Sequence, residues 1–330
     1  MSSGRGPIEQ RPIEQRRIER LRALHGTVHR GVSVGIGDDG AVLDGGAFAN
    51  GVVASVDAQF EGVHFRSSWV GRGATYRAIG FRAAVAALSD LAAMGATPRA
   101  ILSSVALPVG VDDTVLEALA AGIEDAARMH GAPVVGGNLS RASELSMTTT
   151  VLGESCARPL RRRGAKVGDA VWVTGPLGAR ALGCRALDAG LGLDDQARAF
   201  VEAFLGPVPR FDVGRTAGAR AHAGIDVSDG LVADLGHVCD AGGVAARIDR
   251  DAVPRWPGHE ALAARLGRDP WLDALAGGDD YELLLVGPVD DAWLASVGTR
   301  VGEIVPGQGV TIVAEGRELR LGATGFDHFG

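Results

Sequence analysis

The amino-acid sequence predicts an α/β (α+β) fold divided into two domains. Its 330 residues, 46% of them hydrophobic, are enough to bury two cores. Both halves mix short apolar runs typical of strands with longer segments of helical periodicity. Between the halves lies RPLRRRGAKVGD, a cationic seam. We therefore expect a mobile tail over residues 1–12, a first domain over 13–155 and a second over 156–330.

In the first domain, short apolar runs at 41–43 and 52–56 flank GGAFANG, whose turn-forming residues predict a hairpin. RAILSSVALP, PVVGG and LSMTTTVLGE are the further expected strands. Helices are expected at 13–24, at 75–94 with a stop at Gly95, and from Asp112 or Asp113 to about Met129.

The second domain is predicted to open with a strand in DAVWVTG, followed by a mostly helical stretch over 176–221. GIDVSDGLVADLGHV has the pattern of a strand, a turn and a helix. AARID, DYELLLVG and VGEIV supply the later strands.

Charge and composition exclude several classes of protein. The formal net charge of -7 argues against nucleic acid or an anionic membrane as the main partner. No apolar run approaches the roughly 18 residues of a membrane span. Three cysteines without C-x-x-C spacing favour neither structural zinc nor disulfides, so we expect a cytoplasmic protein. The sequence has no G-K-[ST], G-x-S-x-G or H-E-x-x-H motif.

The stretch VGIGDDGAVL matches a dinucleotide fingerprint through Gly35, Gly37 and Gly40. A dinucleotide-binding unit needs a crossover helix next, and the glycine-broken segment that follows is too short for one. The glycines are better explained as a tight turn that presents Asp38 and Asp39. Adjacent carboxylates in such a turn point to a cation.

Further aspartates stand in apolar or glycine-rich surroundings: Asp57 in VDAQFEGVHF, Asp90 in LSDLAAMGA, and Asp226 and Asp229 in GIDVSDGL. A carboxylate beside apolar surface costs several kcal/mol unless it is paired or bound to metal. No arginine or lysine lies within three residues of Asp57 or Asp226. Asp229 alone could be a helix N-cap, but the set together predicts a site for several Mg²⁺ ions, which prefer oxygen ligands.

The strings GIGDDGAVL, VDAQFEGVHF, SDLAAMGATP, GGNLSR, RRRGAKVGD, IDVSDGLVADLGH, GGDDYEL and GFDHF resemble, in order and spacing, the thiamine-monophosphate kinase family. That family belongs to the superfamily of aminoimidazole ribonucleotide synthetase. The resemblance implies a two-domain fold in which the N-terminal mixed sheet forms a barrel across a homodimer. It also implies Mg²⁺-assisted, in-line phosphorylation of thiamine monophosphate to thiamine diphosphate by ATP.

The resemblance further implies roles for individual residues. Metal ligation or proximity to metal is expected of Asp38, Asp39, Ser55, Asp57, Asp90, Asn138, Asp226 and Asp229. ATP contacts are expected of Gly137, Asn138, Arg162 and Ser228. Substrate contacts are expected of His64, Asp279 and Phe326. No side chain is expected to act as a strong base, because the accepting phosphate oxygen is already anionic.

Three positions depart from the family pattern. Asn138 stands where an aspartate is frequent, which removes one negative charge from a metal site. Asp279 replaces a common glutamate and has a shorter reach, and Phe326 replaces a frequent tyrosine and loses a hydroxyl. The alternatives left open are another ATP-dependent synthetase of the superfamily, a non-catalytic nucleotide- or metal-binding homologue, and a metal-dependent phosphatase.

Overall fold

A computed structural model describes residues 13–26, 29–34, 42–319 and 325. The chain divides into two compact units. The first comprises residues up to 70, 75–87 and 98–154, and the second comprises 71–74, 88–97 and the residues from 155 onward. The predicted tail over residues 1–12 lies outside the described residues. The domain limits at residues 12 and 155 stay predictions.

The first unit holds the following elements: α1 (Ile13–His25), β1 (Val32–Val34), β2 (Val42–Leu43), β3 (Val52–Phe60), α2 (Tyr76–Ala93), β4 (Thr97–Leu107), α3 (Asp113–His130), β5 (Val134–Arg141) and β6 (Ser146–Glu154). Helix α2 begins in this unit and ends in the second. The Asp112 carboxylate caps α3 by accepting a hydrogen bond from the Thr114 amide, so Asp112 is the cap of the two aspartates that the sequence allowed. The αL residue Gly131 ends that helix.

The main sheet of the first unit has the strand order β3-β6-β4-β5. Strand β3 is antiparallel to β6, whereas β4 and β5 are parallel, so the sheet is mixed. The predicted hairpin between residues 41–43 and 52–56 is wrong. β2 pairs with β1, β3 pairs with β6, and residues 45–48 between β2 and β3 form a 3-10 helix.

The second unit holds β7 (Ala170–Val173), α4 (Ala179–Asp188), α5 (Arg198–Leu205), α6 (Phe211–Arg220), β8 (Ala223–Asp226), α7 (Leu231–Gly242), β9 (Ala245–Asp249), α8 (His259–Arg265), α9 (Pro270–Ala276), β10 (Leu283–Gly287), α10 (Ala292–Val297), β11 (Thr299–Val305), β12 (Gly309–Ala314) and β13 (Arg317–Leu319). Its sheet has the order β13-β12-β9-β11-β7-β10-β8. β12 and β9 are parallel and the other neighbours antiparallel. Helix α7 packs on this sheet through a fully apolar core.

The predicted α+β class with mixed sheets in two units is confirmed. Strand β8 is buried along its whole length, and it delivers Asp226 to the point where the chain turns into α7. Among the described helices, none is both long and apolar enough to cross a membrane.

Candidate active site

Two of the predicted metal-site residues lie on β3. Ser55 and Asp57 are two residues apart, so both side chains lie on the same face of the strand, and both are half-buried. The Gln59 amide, next on that face, donates a 2.6 Å hydrogen bond to the Asp57 carboxylate. Across the sheet, Asp57 faces Thr149, which is 1% exposed. The Thr149 hydroxyl has no hydrogen-bond partner among the described residues.

The predicted substrate residue His64 follows β3 in a tight turn. Its Nδ1 accepts a 3.0 Å hydrogen bond from the Phe60 amide, while its own amide donates to the Phe60 carbonyl over 2.9 Å. Because Nδ1 is an acceptor, the neutral ring carries its proton on Nε2. His64 therefore offers an N–H donor, which suits binding to a phosphate oxygen and does not suit proton abstraction.

Gly137 and Asn138 lie on β5, opposite Ser103 and Ser104 of β4. A Cβ atom at position 137 would fall 1.8 Å from the Ser103 carbonyl oxygen, so only glycine fits there. Asn138 is exposed and available to a ligand. Strand β5 thus places a residue without a side chain, Gly137, directly before an exposed amide side chain, Asn138.

In the second unit, Asp226 ends β8 and is 4% exposed. The Ser89 hydroxyl donates a 2.6 Å hydrogen bond to its carboxylate, across 137 residues of sequence. Burial raises the pKa of Asp226, and the charge of the neighbouring Asp90 raises it further. The exposed Arg162 acts in the opposite direction and lowers that pKa. The predicted residues Asp90, Arg162 and Asp226 are therefore close enough to interact.

The turn after β8 carries Ser228 and Asp229. Their amides and that of Gly230 donate to a single oxygen of Asp234, over 3.0, 3.0 and 3.1 Å. Asp229 is not the N-cap that its position suggested: Gly230 occupies that place, without a side-chain cap. The Asp234 carboxylate, which lies in the first turn of α7, instead accepts these amide hydrogen bonds and holds residues 228–230 in place.

Asp234 is itself almost completely buried, at 1% exposure. Burial raises its pKa to about 8, with the charges of Asp226 and Asp229 adding to the effect and the amide hydrogen bonds opposing it. Donor atoms of Asp229, Asp234 and His237 lie within 4.8 Å of one another. Ionisation of Asp234 is thus opposed by burial and by the charges of Asp226 and Asp229, and a bound cation would relieve that repulsion.

Asp279 lies in a loop that is bonded directly to the Ser228 turn. The Asp279 amide donates to the Ser228 carbonyl over 2.7 Å, and the Tyr281 amide donates to the Val227 carbonyl over 2.8 Å. Asp279 and Tyr281 both have positive φ angles, 61° and 50°, a conformation that costs non-glycine residues of order 1–3 kcal/mol. The Tyr281 hydroxyl donates to the Asp279 carboxylate over 3.0 Å. The loop is therefore held in a strained conformation that orients Asp279.

Three predicted site residues, Asp38, Asp39 and Phe326, lie outside the described residues. The second unit brings together Asp90, Arg162, Asp226, Ser228, Asp229 and Asp279. The first unit places Ser55, Asp57 and His64 on or beside one strand and Gly137 with Asn138 on another.

Sequence reasoning missed the residues that support these groups: Ser89, Gln59, Arg82, Asp234 and Tyr281. Of these residues, only Asp234 could have been predicted from the sequence. A carboxylate four residues after Gly230, one helical turn into α7, can reach the amides of the preceding turn. The others are recognised only through their tertiary neighbours.

Models of two families match the chain. AIR synthase related protein, N-terminal domain, matches residues 37–155, and AIR synthase related protein, C-terminal domain, matches residues 166–315. The thiamine-monophosphate kinase of Salmonella typhimurium is 34% identical over 311 residues, which cover 90% of this chain and 92% of the relative.

Two solved structures are also similar to this chain. The thiamine-monophosphate kinase from Stenotrophomonas maltophilia K279a superimposes with a TM-score of 0.79 at 34% identity, covering 91% of this chain and 96% of that one. The structure of AaThiL complexed with AMPPCP and TMP has a TM-score of 0.74 at 30% identity and covers 84% of this chain and 87% of that one.

Proposed function

The chain belongs to the thiamine-monophosphate kinase family of AIR synthase related proteins, and on this premise we propose that it phosphorylates thiamine monophosphate to thiamine diphosphate with ATP. The observation that carries the proposal is the convergence, in the second unit, of Asp90, Asp226 and the Ser228 turn with the Asp279 loop. A relative solved with AMPPCP and TMP supports both the phosphate donor and the acceptor.

The described residues fit Mg²⁺. Asp226 and Asp90 raise the cost of each other's charge, and a divalent cation relieves such repulsion. In the first unit, the buried Thr149 hydroxyl beside Asp57 has no hydrogen-bond partner among the described residues, and a hydrated ion would supply one. We assign metal binding to Ser55, Asp57, Asp90, Asn138, Asp226 and Asp229, together with Asp38 and Asp39. Bound there, Mg²⁺ would neutralise charge on the two phosphate chains.

The remaining residues bind and orient the two substrates. In the second unit, Arg162 is assigned to ATP through its guanidinium and Ser228 through its hydroxyl. In the first unit, Gly137, where a side chain would clash with Ser103, is assigned to ATP through its bare backbone. His64 donates from Nε2 to the substrate phosphate, and Asp279 is oriented for the same substrate by Tyr281. The attacking phosphate oxygen is anionic at neutral pH, so the reaction needs positioning and charge neutralisation and no strong base.

The proposal also includes a homodimer in which the first-unit sheet joins its copy in a barrel. β3 is an edge strand of that sheet, and its outward face is apolar: Val52, Val56 and Phe60 are 56%, 60% and 45% exposed. An apolar row on a sheet edge favours pairing with another chain. Val56→Glu is expected to convert dimers to monomers in sedimentation velocity, whereas exposed Val109→Glu is the matched control. Unchanged sedimentation of Val56→Glu would contradict this part.

The test of the reaction is product analysis. Purified protein is incubated with Mg²⁺, ATP and thiamine monophosphate, and thiamine diphosphate and ADP are quantified by chromatography. The two products are expected in equal amounts. ATP binding without ADP would indicate a non-catalytic homologue. Phosphate release from thiamine monophosphate without ATP would indicate a phosphatase.

A further inference from the structure

We propose that Gln59 is a positioning residue that sets the affinity of Asp57 for Mg²⁺ and couples it to the His64 turn. The inference rests on the proposed function, in which Asp57 binds metal and His64 binds substrate. Gln59 is 3% exposed and follows Asp57 on the same face of β3. A buried amide needs partners for both its oxygen and its nitrogen.

The partners of Gln59 fix the orientation of its amide. Arg82 of α2, also 3% exposed, donates from Nη1 to the Gln59 oxygen over 2.6 Å. Gln59 Nε2 then donates to Asp57 Oδ1 over 2.6 Å. A guanidinium can only donate and an ionised carboxylate only accepts, so the reversed amide would lose both bonds. The chain Arg82–Gln59–Asp57 therefore has one direction.

This arrangement orients Asp57 without neutralising it. A direct Arg82–Asp57 ion pair would compete with a metal for the carboxylate, whereas the intervening amide occupies only Oδ1. The second oxygen, Oδ2, is turned in a fixed direction as a result. Groups that hydrogen-bond a metal-binding side chain from behind typically change metal affinity by about 10–100-fold when removed.

The same guanidinium nitrogen also reaches the substrate turn. Arg82 Nη1 lies 3.4 Å from the His64 carbonyl oxygen, and the His64 ring is fixed by the Phe60 amide at the end of β3. Arg82 thus connects the Gln59–Asp57 pair to the His64 turn within one polar network. A change at Gln59 is expected to alter Mg²⁺ dependence first and substrate KM second.

The test is a Mg²⁺ titration of wild type, Gln59→Met and Gln59→Asn. Methionine fills the volume without an amide, and asparagine keeps the amide but is one methylene too short to bridge both partners. Arg99→Met is the control, because Arg99 bonds Ala47 and Glu154 of the same unit and contacts neither Asp57 nor His64. Two readouts are followed: the Mg²⁺-dependent rise in Tm with metal alone, and the rate of thiamine diphosphate formation.

For Gln59→Met, the half-saturating Mg²⁺ concentration is expected to rise about tenfold in both readouts, with kcat recovering at saturating Mg²⁺. Gln59→Asn should shift in the same direction, and Arg99→Met should lower Tm without shifting the Mg²⁺ dependence. Unchanged half-saturation in the Gln59 variants, or a kcat lowered equally at every Mg²⁺ concentration, would overturn the proposal. If wild type makes no thiamine diphosphate, the proposed function fails, while the Tm titration still decides the role of Gln59.

Discussion

Asp57 in the first unit and Asp226 in the second are both assigned to metal, yet their surroundings differ. Asp57 is half-buried and accepts a hydrogen bond from Gln59, whose amide is held by the cationic Arg82. Asp226 is almost fully buried and accepts a hydrogen bond from the neutral Ser89. Burial and the negative charge of Asp90 both raise its pKa.

The difference indicates two ways to prepare a carboxylate for a cation. The first unit supplies a donor and a distant positive charge, so Asp57 is oriented at little electrostatic cost. The second unit buries Asp226 without enough compensation, so ionisation of Asp226 destabilises the folded protein unless a cation is bound beside it. We therefore expect changes at the second site to have the larger effects, on both stability and activity.

The largest effect is expected for Asp226→Asn. Loss of this ligand should lower kcat/KM by about 1000-fold, or about 4 kcal/mol. Without Mg²⁺ the same variant should be more stable by about 2 kcal/mol, because a buried charge is removed while Ser89 can still donate. Steady-state kinetics and thermal unfolding measure the two effects, with exposed Asp240→Asn as control. A variant that loses both activity and stability would contradict the comparison.

A smaller effect is expected for Asp234→Asn. Above about pH 8, where wild-type Asp234 is ionised, the uncharged asparagine should hold the Ser228 turn less firmly and raise the KM for ATP about tenfold. Replacing Asp234 should leave the Mg²⁺ dependence set by Asp57 unchanged. An unchanged KM for ATP would mean that the three amide hydrogen bonds to Asp234 do not position the turn.

The Asp234→Asn variant also tests how the stability of the protein depends on pH. The pKa of Asp234 is raised to about 8 in the folded protein, so below that pH the folded state holds a proton that the unfolded state has released. Its contribution to stability is therefore favourable at acid pH and is lost as pH rises through about 8. Wild-type Tm without Mg²⁺ should fall more steeply from about pH 6 to about pH 8 than that of Asp234→Asn. Parallel curves would contradict the assignment.

The smallest effect is expected for Tyr281→Phe. Removing the hydroxyl leaves Asp279 without one neutral hydrogen bond, worth about 0.5–1.5 kcal/mol, so the KM for thiamine monophosphate should rise about 2–10-fold with kcat nearly unchanged. Tyr76→Phe, the other tyrosine of the chain, is the matched control. Equal effects of the two substitutions would show that Tyr281 does not orient Asp279.

Local signals in the sequence predicted the helices well. Asp112 precedes a periodic apolar segment and caps α3, and Gly95 follows the end of α2. The hairpin prediction failed because strand pairing is not local: β3 selects β6, about a hundred residues further along the chain, as its partner. Turn-forming residues at 45–48 were compatible with a 3-10 helix as well as with a hairpin turn.

The sequence predicted the acidic residues of the candidate site, but it did not predict the residues that hydrogen-bond to them. Aspartates in apolar surroundings stand out in a sequence, because an unpaired buried charge is costly. Gln59 and Tyr281 carry no such signal, since their roles depend on Arg82 and on the strained backbone around Asp279. Asp229 was ambiguous for the same reason: only the fold shows that Asp234 takes the amides of the turn.

The most direct test of the account is to follow the terminal phosphate of ATP, carrying a radioactive label, in the presence of Mg²⁺ and thiamine monophosphate. The label is expected in the terminal phosphate of thiamine diphosphate, in amounts equal to the ADP formed, and Asp226→Asn is expected to slow this transfer about 1000-fold. Label found only in inorganic phosphate, or retained in ATP, would contradict it.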